Sequence, residues 1–174
     1  MDVRRAITDD AETLAALLAG YLREGYPGHV GSTPEQLRRD VLGERSLHHV
    51  LLAEARDNVV GFVGWDLVYD MHWATSGGQI ADLFVIPSYR GLGVSLALVA
   101  KAAADVRAAG GTFLRGGAYD RESTHRSYGR VAVVAPSGDT HLSARAFRRV
   151  AELADLPIRD IIRGLPPVEW NFSD

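Results

Sequence analysis

The sequence predicts an α/β protein whose central sheet is mixed, mostly antiparallel and flanked by helices. Three observations lead to this prediction. Apolar periodicity gives the element order β-α-α-β-β-β-α-β, followed by mixed elements toward the C-terminus. Two apolar strands around a short polar turn at 56–58 form an antiparallel hairpin. A later strand, helix and strand in succession require a parallel crossover.

Composition and charge exclude several classes of protein. The 174 residues are 47% hydrophobic and 24% charged, so we expect one domain spanning 1–174. The absence of cysteine excludes disulfides and thiolate metal sites. A net charge of −3 provides no basic field for nucleic acid or membrane. The chain has no signal-peptide core and no long apolar run, so we expect a cytoplasmic protein.

Capping residues and periodicity place the elements of the first half. Thr8 or Asp9 caps a first helix that runs to about Arg23. Thr33 caps a second helix, with Pro34 at its first position. We predict strands at 50–55 and 59–68, a polar loop at 70–78, and a third strand at 79–86.

The second half begins with a long helix from Val94 to Gly110, whose apolar stripe ends at a pair of glycines. Beyond it we predict strands at 112–118, 131–135 and 158–162, a turn at 136–139, and an amphipathic helix at 142–154.

The turn at 87–95 is the most informative stretch. A strand ends at Pro87, and Gly91 and Gly93 precede the long helix. In a strand–turn–helix of this kind, free backbone N–H groups and the positive end of the helix dipole are directed at one point. That point suits a phosphate or pyrophosphate. A P-loop would need a lysine, and a dinucleotide-binding turn would need a third glycine in the first β-α unit. A packing turn without a ligand is the alternative interpretation.

The run Arg90-Gly91-Leu92-Gly93-Val94-Ser95, after the strand Leu83-Phe84-Val85-Ile86-Pro87, resembles motif A (Q/R-x-x-G-x-G/A) of the GNAT superfamily of acyl-CoA-dependent N-acetyltransferases. The resemblance covers about Val3 to Arg130. It departs at Ser95, where the family usually has Gly or Ala. It implies acetyl-CoA as co-substrate and a turn that cradles the coenzyme A pyrophosphate. The six histidines lack metal-ligand spacing, so we expect no metal. The implied coenzyme-binding residues are Phe84, Val85, Ile86, Arg90, Gly91, Leu92, Gly93, Val94 and Ser95.

The resemblance also implies two catalytic groups. A backbone N–H at Val85 or a neighbour meets the thioester oxygen. In the family, a tyrosine after the next strand often acts as the general acid that protonates the leaving thiolate. Tyr128 matches this position, although Ser127 replaces the usual aromatic residue before it. A phenol with a pKa near 10 suits protonation of a thiolate. A tyrosine that only packs at a helix end is the alternative.

The general base is open at this stage. The family's usual glutamate position is Ala81, and Asp82 beside it would point to the other face of a regular strand. Asp82 is therefore either a base, acting directly or through water, or a polar strand residue. Glu24, His125 and water are the alternatives.

The resemblance implies an acetyl-CoA-dependent N-acetyltransferase that acts on a primary amine of a small molecule or peptide by direct attack on the thioester. A non-catalytic acyl-CoA-binding or sensing module on the same fold is the alternative. Because the C-terminal third is longer than a minimal member needs, a homodimer is a further expectation. An arginine cluster suits either an anionic acceptor or the coenzyme phosphates: Arg115, Arg121, Arg126 and Arg130.

Overall fold

The computed structural model describes residues 1–46, 48–117, 132–134, 139–142 and 144–165. The element order begins β-α-α-β-β-β-α-β, as the sequence predicts. The strands are β1 (Asp2–Arg5), β2 (His48–Ala55), β3 (Asn58–Asp70), β4 (Thr75–Val85), β5 (Leu114–Gly117), β6 (Ala132–Val134) and β7 (Asp139–Leu142). The α-helices are α1 (Ala11–Gly25), α2 (Pro34–Gln36), α3 (Val94–Ala108), α4 (Ala144–Glu152) and α5 (Ile158–Gly164).

These strands form one sheet in the order β1-β2-β3-β4-β5-β7-β6. Every neighbouring pair is antiparallel except β4 and β5, which are parallel because the chain crosses over through α3. The prediction of a mixed, mostly antiparallel sheet flanked by helices is confirmed.

Each face of the sheet has its own apolar core. On one face, here called the α1 face, Leu14 and Leu17 of α1 pack against Leu52, Phe62 and Phe84. The opposite α3 face carries α3 and α4 and buries Val63, Val85, Leu98, Val106 and Phe147. Side chains point alternately to the two faces along a strand. A polar residue two positions from a core residue on a regular strand therefore lies on the same face as that core residue.

The helices are short. The longest, α1 and α3, have 15 residues each. In the part of the chain that the structure describes, no helix combines the length and apolar character needed to cross a membrane.

The hairpin of β2 and β3 closes through Arg56 and Asp57, which have φ values of 51° and 64°. Two left-handed residues are the signature of the tight turn whose twist matches that of the flanking strands. A bulge between Ala53 and Glu54 then shifts the register by one residue. As a result His48 lies opposite Asp66.

The predicted loop at 70–78 is wrong at both ends, because β3 extends to Asp70 and β4 begins at Thr75. The glycines there are strand residues placed where a side chain would collide. A Cβ at Gly77 would meet the ring of Phe113, and one at Gly78 would meet Val106 and Leu114. Their role is close packing rather than turn formation.

Two C-terminal predictions are also wrong. Residues 158–162 form part of helix α5, not a strand. Ile158 packs over Gly93, while Ile161 and Leu165 are buried, and this spacing of three and four is that of a helix. In addition, residues 139–142 form β7, so α4 begins at Ala144 rather than at 142.

Candidate active site

Strands β4 and β5 separate partway along their length. They pair only from Gly78–Leu114 to Ile80–Gly116, whereas β4 continues to Val85 alongside β3. In the described ranges no strand pairs with the other edge of β4 beyond Ile80. That edge therefore offers main-chain groups to a ligand lying between the two strands.

A β-bulge marks the point of separation. On β3 the residues Gly64 and Trp65 are consecutive, but their partners on β4 are Asp82 and Ile80, so Ala81 is an extra residue. Ile80 and Leu83 both pack against the α3-face core, which strict alternation would forbid. Asp82 therefore alternates with Phe84 and lies on the α1 face.

Asp82 is close to Tyr21 of α1, which in turn contacts Tyr26 at the C-terminal cap of that helix. Burial, the hydroxyl of Tyr26 and the nearby carboxylate of Asp82 raise the pKa of Tyr21. The Tyr21 and Tyr26 hydroxyl oxygens are 3.4 Å apart. The Tyr21 ring packs edge-on against Phe62 and Phe84, which fixes its position over the sheet. The neutral phenol of Tyr21 is thus a hydrogen-bond donor held beside a carboxylate.

At the end of β4 lies the glycine turn. A short 3₁₀ turn at Pro87–Tyr89 leads to Gly91 and Gly93, whose φ values are 73° and 83°, and α3 begins at Val94. No atom lies within 4 Å of a Cβ built on Gly91, so the backbone is open to a close ligand there. Gly93 instead allows Ile158 to pack against the turn.

Arg90 spans the turn and the end of β4. Its Nε donates to the carbonyl oxygen of Val85 at 2.9 Å, and its Nη2 donates to Glu24 of α1 at 2.6 Å. The guanidinium also lies 5.5 Å from the centre of the Phe84 ring. A cation therefore sits where the free edge of β4 meets the turn.

The other predicted coenzyme residues have different degrees of exposure. Phe84 is buried on the α1 face and Val85 on the α3 face, so neither side chain enters the gap between strands. The Ile86 N–H donates to Val60 of β3, and because main-chain groups alternate in direction, those of Val85 face the gap while those of Phe84 face β3. Ile86 and Ser95 are partly buried, Leu92 is exposed, and Val94 is buried.

Several predicted residues lie outside the described residues: Tyr128, His125, Arg121, Arg126 and Arg130. Arg115 is described, and its charge is engaged within the sheet. Its Nε donates to Gln79 at 2.8 Å and its Nη1 to Asp70 at 3.2 Å.

The sequence reasoning missed a row of polar side chains across the α1 face. Nδ1 of His48 lies 2.7 Å from a carboxylate oxygen of Asp66. Together with the residues already named, this gives a polar patch defined by His48, Asp66, Asp70, Gln79, Asp82 and Arg115. Three carboxylates face one guanidinium, so the described part of the patch favours a cationic ligand. In the sequence, this patch is indicated only by the polar residues that stand at one end of each apolar strand.

Metal chemistry finds no support in the described ranges, where no three His, Asp or Glu side chains are grouped closely enough to hold an ion.

A family model described as the acetyltransferase (GNAT) family matches residues 14–130. Among curated protein sequences, none matches this chain significantly.

Solved structures share the fold. A ribosomal-protein-alanine N-acetyltransferase from Brucella melitensis biovar Abortus 2308 has a TM-score of 0.63 and 24% identity over 78% of this chain and 94% of its own. An aminoglycoside acetyltransferase from an uncultured soil metagenomic sample has a TM-score of 0.60 and 15% identity over 72% and 81%. The likeness to these two concerns the fold. The family model covers well over half of the chain, and the chain therefore belongs to the GNAT acetyltransferase family.

Proposed function

We propose that this protein is an acetyl-CoA-dependent N-acetyltransferase that acts on a primary amine of a small molecule or peptide. The observation that carries the proposal is the position of Asp82. The bulge at Ala81 turns this carboxylate to the α1 face at the point where β4 separates from β5. The same strand leads from Asp82 to the glycine turn, so a donor and an acceptor would meet beside it.

The residues at the turn fit the coenzyme. Gly91 leaves room for a phosphate near the first turn of α3, and Arg90 supplies a cation beside it. The free edge of β4 at Val85 offers main-chain groups to an extended amide arm, whereas the Ile86 N–H already donates to the Val60 carbonyl of β3 at 3.0 Å. The coenzyme would supply the thioester-bound acetyl group.

We assign three roles on this basis. Asp82 binds the acceptor ammonium and holds it where its proton is removed, so that the amine attacks as the neutral nucleophile. A main-chain N–H at Val85 or its neighbour donates to the carbonyl oxygen of the acetyl group. Tyr128 returns a proton to the leaving sulfur, as the family resemblance implies.

The acceptor class follows from charge. Asp66, Asp70 and Asp82 give the described patch an acidic balance, which favours an acceptor with one or more amines. Solved relatives named as ribosomal-protein-alanine and aminoglycoside acetyltransferases support peptide and small-molecule amines as the classes to test.

The test is release of free thiol from acetyl-CoA with a panel of amines, aminoglycosides, amino acids and peptides, with mass spectrometry of the product. We expect one acetyl group on a primary amine. Coenzyme binding without transfer to any member would instead favour the non-catalytic acyl-CoA-binding module. No rise in melting temperature at saturating acetyl-CoA would contradict both functions.

A further inference from the structure

His48 and Asp66 form an oriented pair on the α1 face. The bulge between β2 and β3, at which Val60 is the extra residue, places the two residues opposite each other, and the His48 Nδ1 lies 2.7 Å from the Asp66 carboxylate. The backbone of His48 is held in addition by Ser46, whose Oγ accepts from the His48 N–H at 3.1 Å and donates to its carbonyl oxygen at 3.0 Å. The His48 side chain is 27% exposed, so it is accessible although it is fixed.

The second ring nitrogen of His48 is directed across Gly64. A Cβ built on Gly64 would lie only 2.5 Å from Nε2, so any other residue there would displace the imidazole. Gly64 is also the direct partner of Asp82 on β4. Side chains on directly opposed antiparallel residues have Cβ atoms about 5 Å apart. His48 and Asp82 therefore lie on the same face of the sheet with only Gly64, which has no side chain, between them.

The pairing with Asp66 decides which ring nitrogen of His48 carries the proton and which one can accept another. A carboxylate accepts only, so the hydrogen bond from Nδ1 requires a proton on that nitrogen. In the neutral ring Nε2, which lies over Gly64, then keeps its lone pair. If Nε2 gains a proton, Asp66 stabilises the resulting imidazolium.

We propose that Nε2 of His48 accepts the proton that the acceptor ammonium releases at Asp82, with Asp66 as the positioning residue. This inference rests on the proposed acetyl transfer. Imidazole is suited to the task because its reference pKa of about 6.5 is the closest of the common side chains to neutral pH. Asp82 then acts as counter-ion of the ammonium, and His48 as the end of a short proton path.

The step balances in atoms and electrons. The N–H bond of the ammonium breaks, and its electron pair stays on nitrogen while the proton passes to Nε2, directly or through one water. The nitrogen pair then forms the new bond to the acetyl carbon. The carbon–sulfur bond breaks, and the sulfur takes a proton from Tyr128 or water. His48 finally returns its proton to solvent.

The surroundings of His48 hold several charged and titratable groups. The groups that face this patch from the surrounding elements, or that precede it in the chain, are Asp66 and Asp70 of β3, Asp82 of β4, Arg115 of β5, Tyr21 and Tyr26 of α1 and its cap, and Glu44 and Arg45 before β2.

The experiment compares His48→Gln with His49→Gln. His49 is the matched control, because it lies on the opposite face of β2, stacked on Trp65 with ring centres 4.2 Å apart. Values of kcat and KM are measured from pH 6 to 9 with acetyl-CoA and the best amine of the panel. We expect His48→Gln to lower kcat about 100-fold near neutral pH, to leave the KM for acetyl-CoA unchanged, and to abolish the rise of kcat around the imidazole pKa.

Two further variants separate a catalytic from a structural role. Gly64→Ala should reproduce the loss of kcat, because it displaces the ring without removing it. Asp66→Asn should move the rising limb of the pH profile to lower pH, because it removes the charge that favours the imidazolium. His49→Gln should keep the wild-type profile.

The outcomes are distinct. Wild-type kcat and an unchanged pH profile for His48→Gln would overturn this inference and leave the proposed function standing. A wild type that acetylates no amine would contradict the proposed function and the inference together.

Discussion

The guanidinium of Arg90 lies 2.6 Å from the carboxylate of Glu24, which ties the glycine turn to the last turn of α1. The same side chain donates to the carbonyl of Val85, on the edge of β4 where the coenzyme arm is proposed to bind. A pyrophosphate at the turn would compete with Glu24 for this cation. The Arg90–Glu24 pair therefore opposes coenzyme binding to the extent that it is stable.

Glu24→Gln should strengthen binding of coenzyme A. The two side chains are 47% and 44% exposed, and such pairs contribute about 0.2–1 kcal/mol. Removing the competing charge should lower the Kd by roughly 1.5- to 5-fold in calorimetric titrations at low salt. Glu12→Gln is the control, because Glu12 pairs with Arg38 at the other end of α1. Equal Kd values for Glu24→Gln and the wild type would show that Arg90 does not exchange partners.

Arg90→Ala should have the opposite effect. A charge-assisted hydrogen bond contributes about 1.5–3 kcal/mol, so its loss should raise the Kd for coenzyme A by roughly 10- to 150-fold. Arg90→Lys should recover part of the affinity, because it keeps the charge but not the paired donors. The same titrations measure both variants. An unchanged Kd for Arg90→Ala would remove this residue from the coenzyme site.

Gly93→Ala should destabilise the protein more than Gly91→Ala. Both glycines have left-handed φ values, which cost a residue with a Cβ about 1–2 kcal/mol. Only at Gly93 would the Cβ also collide with Ile158, and overpacking adds about 1–3 kcal/mol. Denaturant unfolding of both variants measures the difference. The double variant Gly93→Ala with Ile158→Ala should lose less stability than the sum of its parts. Equal losses for the two single variants would contradict the packing of α5 on the turn.

Asp10 links stability to acid pH. The Arg4 guanidinium binds both of its carboxylate oxygens, at 2.7 and 2.8 Å, and the N–H of Ile7 donates to it at 2.8 Å. Despite some burial, these contacts, above all those from Arg4, hold the pKa of the Asp10 carboxyl below its usual range. The stabilisation is therefore fully present above about pH 4 and is lost as the pH falls through the lower folded-state value.

Asp10→Asn should accordingly reduce the free energy of unfolding by about 2 kcal/mol at pH 7. The difference from the wild type should shrink steadily below pH 4, in urea titrations at a series of pH values. Asp9→Asn, at the exposed neighbouring position, should behave like the wild type throughout. A difference for Asp10→Asn that does not change with pH would show that ionisation of this carboxyl is not its cause.

The strand, glycine turn and helix were predictable because their signals are local. Gly91, Gly93 and the apolar stripe of α3 each act through backbone freedom or periodicity within a few residues. The capping of α2 by Thr33 was predictable for the same reason, and its side chain accepts from the N–H of Gln36. Local rules failed at Ile158, where the tertiary contact with Gly93 selects a helix.

The face that Asp82 occupies could not be predicted, because it depends on a bulge. Regular alternation from Ile80 would place Asp82 on the α3 face, and the extra residue Ala81 reverses this. The pair of His48 and Asp66 was hidden in the same way. A regular hairpin closed at 56–57 would put His48 opposite Trp65, and the bulge at 53–54 moves the partner to Asp66. Bulges are tertiary features that a hydrophobic pattern does not encode.

The most direct test of the proposed acetyl transfer is the effect of Asp82→Asn on kcat. Thiol release is measured at saturating acetyl-CoA, with coenzyme affinity determined separately by calorimetry and Asp57→Asn, at the β2–β3 turn, as the control. We expect kcat to fall at least about 100-fold for Asp82→Asn, with coenzyme affinity unchanged and the control unaffected. A kcat for Asp82→Asn within twofold of the wild type would contradict the proposed role of this carboxylate.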